Sequence, residues 1–148
     1  MTPMERALEE ARAAADRGET PIGAVIMRDG EMIASAGNRM RELNDPTAHA
    51  EILVIRQACA DLGRQRLDGF DLHVTLEPCA MCAGAIAEAR IARLYYGAGD
   101  PKGGGVDHGP CLFNQPTCHH HPEVYGGIDE TRCATLLRAF FATLRESS

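Results

Sequence analysis

Apolar positions along the chain follow two rhythms. Met4, Leu8, Ala11 and Ala15 recur every three or four residues, the period of an amphipathic helix. Thr2-Pro3 supplies a cap and a proline at the first helical position, and Gly18 a stop. The stretch 22–27 is short, apolar and partly β-branched, and predicts a strand. Asp29-Gly30 is a hairpin turn, and 31–36 reads as the returning strand. Residues 37–47 form a polar loop carrying Asn38 and Asp45-Pro46. A second helix is expected over 48–62, with Ile52, Ile55 and Cys59 on one face and Gly63 at its end. A strand over 72–76 stops at Pro78. A third helix runs from Cys79 to about Ala89, and a further strand covers 94–96. The glycine- and proline-rich stretch 97–127 is long for a compact domain, which marks it as functional or mobile; Val124-Tyr125 adds a short edge strand. The last helix, 130–145, is expected to bury Leu136, Leu137, Phe140, Phe141 and Leu144.

A hairpin followed by strand–helix alternation predicts the α/β class: a three-layer α/β/α sandwich around a central mixed sheet. The chain has 148 residues, and we expect one domain spanning 1–148. No apolar run is long enough to cross a membrane, and the charged start is unlike a signal peptide. A cytoplasmic protein with no membrane partner is therefore expected. Six cysteines without an export signal point to reduced thiols and metal rather than disulfides. The net charge of −6 argues against broad binding along a duplex, although a local basic patch can act within an acidic protein.

Two short motifs carry the candidate chemistry: His49-Ala50-Glu51 and Pro78-Cys79-Ala80-Met81-Cys82. His49, Cys79 and Cys82 can fill three tetrahedral positions of a zinc ion and leave the fourth for water. Cys79 and Cys82 open a helix, where free N–H groups favour thiolates. Glu51 lies two residues from a ligand and is the expected proton shuttle for that water. A structural zinc knuckle would need a fourth protein ligand, for which Cys111, Cys118, His108 and His119, His120 and His121 are the candidates. The paired motifs match the signature of zinc-dependent nucleobase deaminases.

The resemblance extends beyond the motifs. Pro21-Ile22-Gly23-Ala24-Val25, Gly37-Asn38-Arg39, Asn44 through Glu51, Val74 through Ile86, Tyr96-Gly97-Ala98, Asp100-Pro101-Lys102-Gly103 and Phe140-Phe141 resemble the bacterial tRNA-specific adenosine deaminases, the TadA family, of the cytidine deaminase superfamily. The resemblance implies a cytidine deaminase-like fold and a homodimer whose neighbouring subunits complete each site. It implies one Zn2+ per subunit and hydrolytic conversion of adenosine to inosine at the wobble position of tRNA, with the arginine tRNA of anticodon ACG as the typical substrate. The partner would be the tRNA anticodon stem-loop. Asn38 would contact the flipped nucleoside, and the backbone around Ala50, Glu77 and Pro78 would read the base.

Other positions admit two readings. Lys102, the only lysine, is a phosphate contact or a solvated turn residue. Asp100 orients a neighbouring nucleotide or caps a turn. Cys59 and Cys133 read as small buried hydrophobes, and Arg138 and Arg145 share a helix face that meets phosphate or solvent. Two competing functions remain at this level: a deaminase of free bases or nucleosides such as guanine or cytosine, and a zinc-stabilised RNA-binding subunit without catalysis.

Overall fold

The computed structural model describes residues 1–147. Helix α1 (Pro3–Asp16) begins with Thr2 accepting from the Glu5 N–H while Glu5 reaches back to the Thr2 N–H, a reciprocal capping box. Strands β1 (Gly23–Arg28) and β2 (Glu31–Gly37) form the expected hairpin. Asp29 and Gly30 both adopt positive φ, as the tight primed turn requires. Strands β3 (Asp71–Leu76), β4 (Arg93–Ala98) and β5 (Glu123–Tyr125) complete a five-stranded sheet of order β2-β1-β3-β4-β5. β1 pairs antiparallel with β2 and β3, whereas β3, β4 and β5 run parallel. The expected mixed sheet is present, including the short edge strand.

Alternation along β1 separates two layers. Ala24 and Ile26 join Val54 and Ala58 of α3 (Ala50–Leu62), Ala83 and Ile86 of α4 (Ala80–Glu88), and Leu72, Val74 and Leu94 in one core. Val25 faces the other way and packs with Met4, Ala7 and Leu8 of α1 and Cys133 of α5 (Glu130–Ser147). Helix α1 lies unusually close to the sheet. A Cβ on Gly23 would stand 2.0 Å from the Ala7 carbonyl oxygen, so no side chain fits there.

Several expectations shift. The buried stripe of α1 runs through Ala14 rather than Ala15. Helix α3 starts at Ala50, not Ala48, because Asp45 accepts from the Thr47 N–H and hydroxyl and holds the preceding turn. Its deepest residues are Ala50, Glu51, Val54 and Ala58, with Ile52, Ile55 and Cys59 only half-buried along its flank. The loop after β2 contains a short helix, α2 (Met40–Leu43). Buried Glu19 stabilises it by accepting from the Arg41 and Glu42 N–H groups. Helix α5 buries Cys133 against β4, but its later apolar residues are not core: Leu136, Leu137 and Phe140 are half-buried, and Phe141 and Leu144 are exposed.

Replacing Gly23 with alanine is expected to destabilise the fold by about 1–3 kcal/mol or more, the cost of forced overpacking. Thermal unfolding checks this, and an unchanged midpoint would contradict the close α1–β1 contact.

Candidate active site

Two helix N-termini meet at one end of the sheet. His49 is the extended residue capping α3, and Cys79 the extended residue capping α4. Each therefore leaves the backbone direction of its helix and turns its side chain toward the other. Cys82, one turn into α4, is fully buried beside them. The His49 Nδ1 atom lies 3.7 Å from Cys79 Sγ and 3.5 Å from Cys82 Sγ. A tetrahedral zinc ion at ordinary bond lengths sets such N···S edges at roughly 3.6 Å, so these donors fit that ion without rearrangement. Among the described residues no other His, Cys, Asp or Glu joins this group. Cys111, Cys118, His108 and the three consecutive histidines supply no fourth ligand, and the set is open.

Glu51 occupies the first turn of α3 and is only 4% exposed, yet its Oε1 atom is buried without a hydrogen-bond partner. An unpaired buried carboxylate oxygen is costly and signals a group that belongs to the functional state. Burial, followed by the negative charge of Cys79, pushes the Glu51 carboxyl up to about 7. The Cys82 thiol hydrogen bond and His49 bring the Cys79 thiol down to about 4. Cys82 is driven upward by sharing that hydrogen bond and by burial. His49 is raised, chiefly by its hydrogen bond to Cys79. Without metal the cluster holds one thiolate beside a retained proton, and a divalent cation is what allows both sulfurs to ionise.

The surrounding wall is built from buried polar contacts. Asn38, 1% exposed at the end of β2, accepts from the Ala50 N–H at 2.7 Å through Oδ1. Arg17 holds the Asn38 carbonyl. Asn38 thus braces the α3 N-terminus, and its Nδ2 is the atom left for a ligand. The Ala50 and Glu77 N–H groups are both engaged, the latter by the Ala98 carbonyl. The Pro78 carbonyl accepts from Gly105. Neither Ala50 nor Glu77 therefore offers a free N–H to a base.

Glu77 has a role that spacing alone did not reveal. Its carboxylate, buried behind Cys79, accepts from the N–H groups of Asp100, Val106, Asp107 and His108 and from His108 Nδ1. Burial opposes ionisation, but these donors outweigh it and hold the carboxyl below its ordinary range. A Cβ on Gly104 would stand 2.4 Å from Glu77 Oε2, and one on Gly105 2.5 Å from the Ala80 nitrogen. The glycine run lets this loop lie on the α4 N-terminus. Asp100 caps the turn, accepting from the Lys102 and Gly103 N–H groups, and Lys102 is exposed. His120 ties the loop to the Ile91 carbonyl, while His119 and His121 are exposed. Cys133 is buried and Cys59 half-buried, as small hydrophobes are. Phe140 and Phe141 meet edge to face, and Phe141 and Arg138 line a cleft with Thr20, Gly99 and Asp100.

An α/β/α sandwich that places an open His/Cys/Cys set beside a buried carboxylate defines a hydrolytic nucleobase deaminase. The MafB19-like deaminase family matches residues 2–145. The chain belongs to this family, within its tRNA-specific adenosine deaminase branch. It is 63% identical over 142 residues to a tRNA-specific adenosine deaminase of Agrobacterium fabrum, covering 96% of this chain and 93% of that protein. A solved structure from a study of A-to-I editing by tRNA:A34 deaminases superposes with a TM-score of 0.90 at 64% identity, covering 91% of this chain and 98% of that one. A guanine deaminase from Nitrosomonas europaea shares the architecture at a TM-score of 0.80 but only 25% identity, covering 95% of this chain and 83% of that one.

Because folding raises the Glu51 carboxyl to about 7, its ionisation opposes folding above the ordinary carboxylate range, fully so above about 7. Glu51→Gln is therefore expected to stabilise the metal-free protein by about 1–3 kcal/mol at pH 8. The gain shrinks as pH falls and vanishes below the unfolded pKa. Denaturant unfolding of both metal-free proteins across pH checks the sign; a loss of stability at pH 8 would contradict it.

Proposed function

We propose that this chain hydrolyses adenosine to inosine at the wobble position of tRNA, typically the arginine tRNA with anticodon ACG. The observation that carries the reading is the unpaired, buried Glu51 Oε1 beside an open three-ligand set. The 63% identity to a tRNA-specific adenosine deaminase supplies the substrate.

His49 Nδ1, Cys79 Sγ and Cys82 Sγ would hold one zinc per subunit. Zinc held by these residues would supply an activated water as the nucleophile. Glu51 Oε1 takes a proton from the attacking water and passes it to a ring nitrogen of adenine. It then takes the proton of the hydroxyl added to the ring carbon and passes it to the amine, so that the C–N bond breaks, the carbonyl forms, and water and adenosine yield inosine and ammonia. Asn38 Nδ2 donates to the flipped nucleoside, and Pro78 and the engaged backbone of Ala50 and Glu77 form a rigid wall against the base. Asp100 shapes the turn that presents Lys102 to phosphate. An anticodon loop already displays unstacked bases, so extruding the target costs little.

The reading extends to a single deaminase domain over 1–148, a homodimer whose neighbouring subunits complete each site, and a cytoplasmic location. Among the described residues no helix is long and apolar enough to cross a membrane.

Incubation with an ACG arginine tRNA transcript should yield inosine at the wobble position. Glu51→Ala should lower turnover by roughly 10²–10⁴-fold with zinc content unchanged, whereas Cys82→Ala should lose the metal. Zinc-loaded protein that deaminates free guanine or cytosine but not tRNA would overturn the substrate. Binding of tRNA without ammonia release would overturn the catalysis.

A further inference from the structure

Asn38 is held at every polar atom but one. It lies just past the last rung of the β1–β2 ladder, where Gly23 pairs with Gly37, and only 1% of it is exposed. Its N–H donates to the Ile22 carbonyl at 3.1 Å, and its Oδ1 accepts from the Ala50 N–H at 2.7 Å. Its carbonyl accepts from Arg17 Nη2 at 3.1 Å. The first two bonds come from the end of the sheet and from the helix that carries Glu51. The third comes from the opposite layer, because Arg17 is the C-cap of α1. Its guanidinium reaches Asn38 because α1 lies directly on Gly37. A Cβ there would stand 2.7 Å from the Glu10 carbonyl oxygen and 3.4 Å from Arg17 Nη2.

The fold does not need this contact to join the two segments. Glu19 already accepts from the Arg41 and Glu42 N–H groups, and Arg41 Nη1 donates to the Gly18 carbonyl at 3.1 Å. Those three bonds tie the turn after α1 to α2 without Arg17. What Arg17 adds is a hold on one peptide unit, the one that leaves Asn38. With N–H, C=O and Oδ1 all engaged, Nδ2 keeps one direction. A donor fixed before binding loses no rotamer freedom when its ligand arrives. The other use of an exposed arginine is a direct phosphate contact. Asp16, Glu19 and Glu42 share the hollow around Arg17 and Arg41, and that excess of negative charge disfavours phosphate.

We propose that Arg17 is a positioning residue for the reaction, acting through the Asn38 carbonyl to aim Asn38 Nδ2 at the target nucleoside. The inference rests on the tRNA deaminase reading above, in which Asn38 Nδ2 donates to that nucleoside. It extends the working site to a side chain that touches no substrate and belongs to the other face of the sheet.

Two experiments test it. The first needs no substrate: the Asn38 side-chain amide protons of the zinc-loaded protein are followed by NMR. They should be sharp in wild type and shifted and broadened in Arg17→Ala; unchanged signals would overturn the proposal. The second is a cycle of wild type, Arg17→Ala, Asn38→Ala and the double variant on the ACG anticodon stem-loop. Arg17→Ala should raise KM about three- to tenfold, up to the worth of one hydrogen bond, with kcat, zinc content and thermal midpoint little changed. In the Asn38→Ala background no amide is left to aim, and Arg17→Ala should cost nothing further. An unchanged KM would overturn the proposal, as would losses that simply multiply. So would a log KM against log salt slope that falls by about one in Arg17→Ala, the mark of a lost phosphate contact. A matching fall in kcat and thermal midpoint would make Arg17 a purely structural residue and overturn it too. Failure of wild type on the stem-loop would instead reject the tRNA reading, while the amide signals still decide the role of Arg17.

Discussion

The structure depends on keeping one carboxylate dry and unpaired. Glu51 lies in the first turn of α3 with an oxygen that no protein group satisfies, and next to it stands the Cys79 sulfur, which favours negative charge. Left alone, this arrangement repels itself. It persists because α3 and α4 are fixed by the same apolar core, in which Val54, Ala58, Ala83 and Ile86 pack against the inner face of the sheet. The packing of that core holds these groups together at the helix tips, and a divalent cation would stabilise their negative charge. Site and fold are thus coupled: the helices hold His49, Cys79 and Cys82 at a spacing that fits zinc, and a cation there would neutralise what the helices force together.

A second buried carboxylate organises the rim. Glu77 gathers the amides of Asp100 and of Val106, Asp107 and His108 on either side of the glycine run, and the glycines at 104 and 105 let that run press onto the first turn of α4. Tyr96 hydrogen-bonds Asp107 from below. The first part of the segment is thereby anchored to the end of the sheet. Glu51 and Glu77 share burial but not chemistry. One is unsatisfied and raised toward neutrality, the other saturated with donors and held ionised. Two acids within one end of the sheet are separated into a reacting group and a scaffold by their hydrogen bonds alone.

Much of this was legible in the residues. Period and turn chemistry located α1, the hairpin, α3, α4 and the short β5. The motif spacing identified His49, Cys79 and Cys82, because a cap residue and a residue one turn along are set by local helix geometry. What escaped was non-local. Glu19 capping α2 acts across more than twenty positions, and Glu77 acts on residues about thirty positions away; no period encodes such contacts. The α5 expectation failed for a related reason. Its apolar stripe predicts burial, but Phe141 and Leu144 stay exposed, Phe141 on the rim of a cleft beside Leu76 and Ala98. His108 entered the sequence argument as a possible metal ligand, and only the fold shows that its partner is Glu77 rather than the thiols.

The central claim is an open three-ligand centre facing Glu51. The most direct measurement is a high-resolution crystal structure of the zinc-loaded protein, with the ion located by its anomalous scattering. The account predicts one ion bound by His49 Nδ1, Cys79 Sγ and Cys82 Sγ, with a solvent oxygen in the fourth position hydrogen-bonded to Glu51 Oε1. A fourth protein ligand on the ion, or a Glu51 carboxylate turned away from it, would contradict the account.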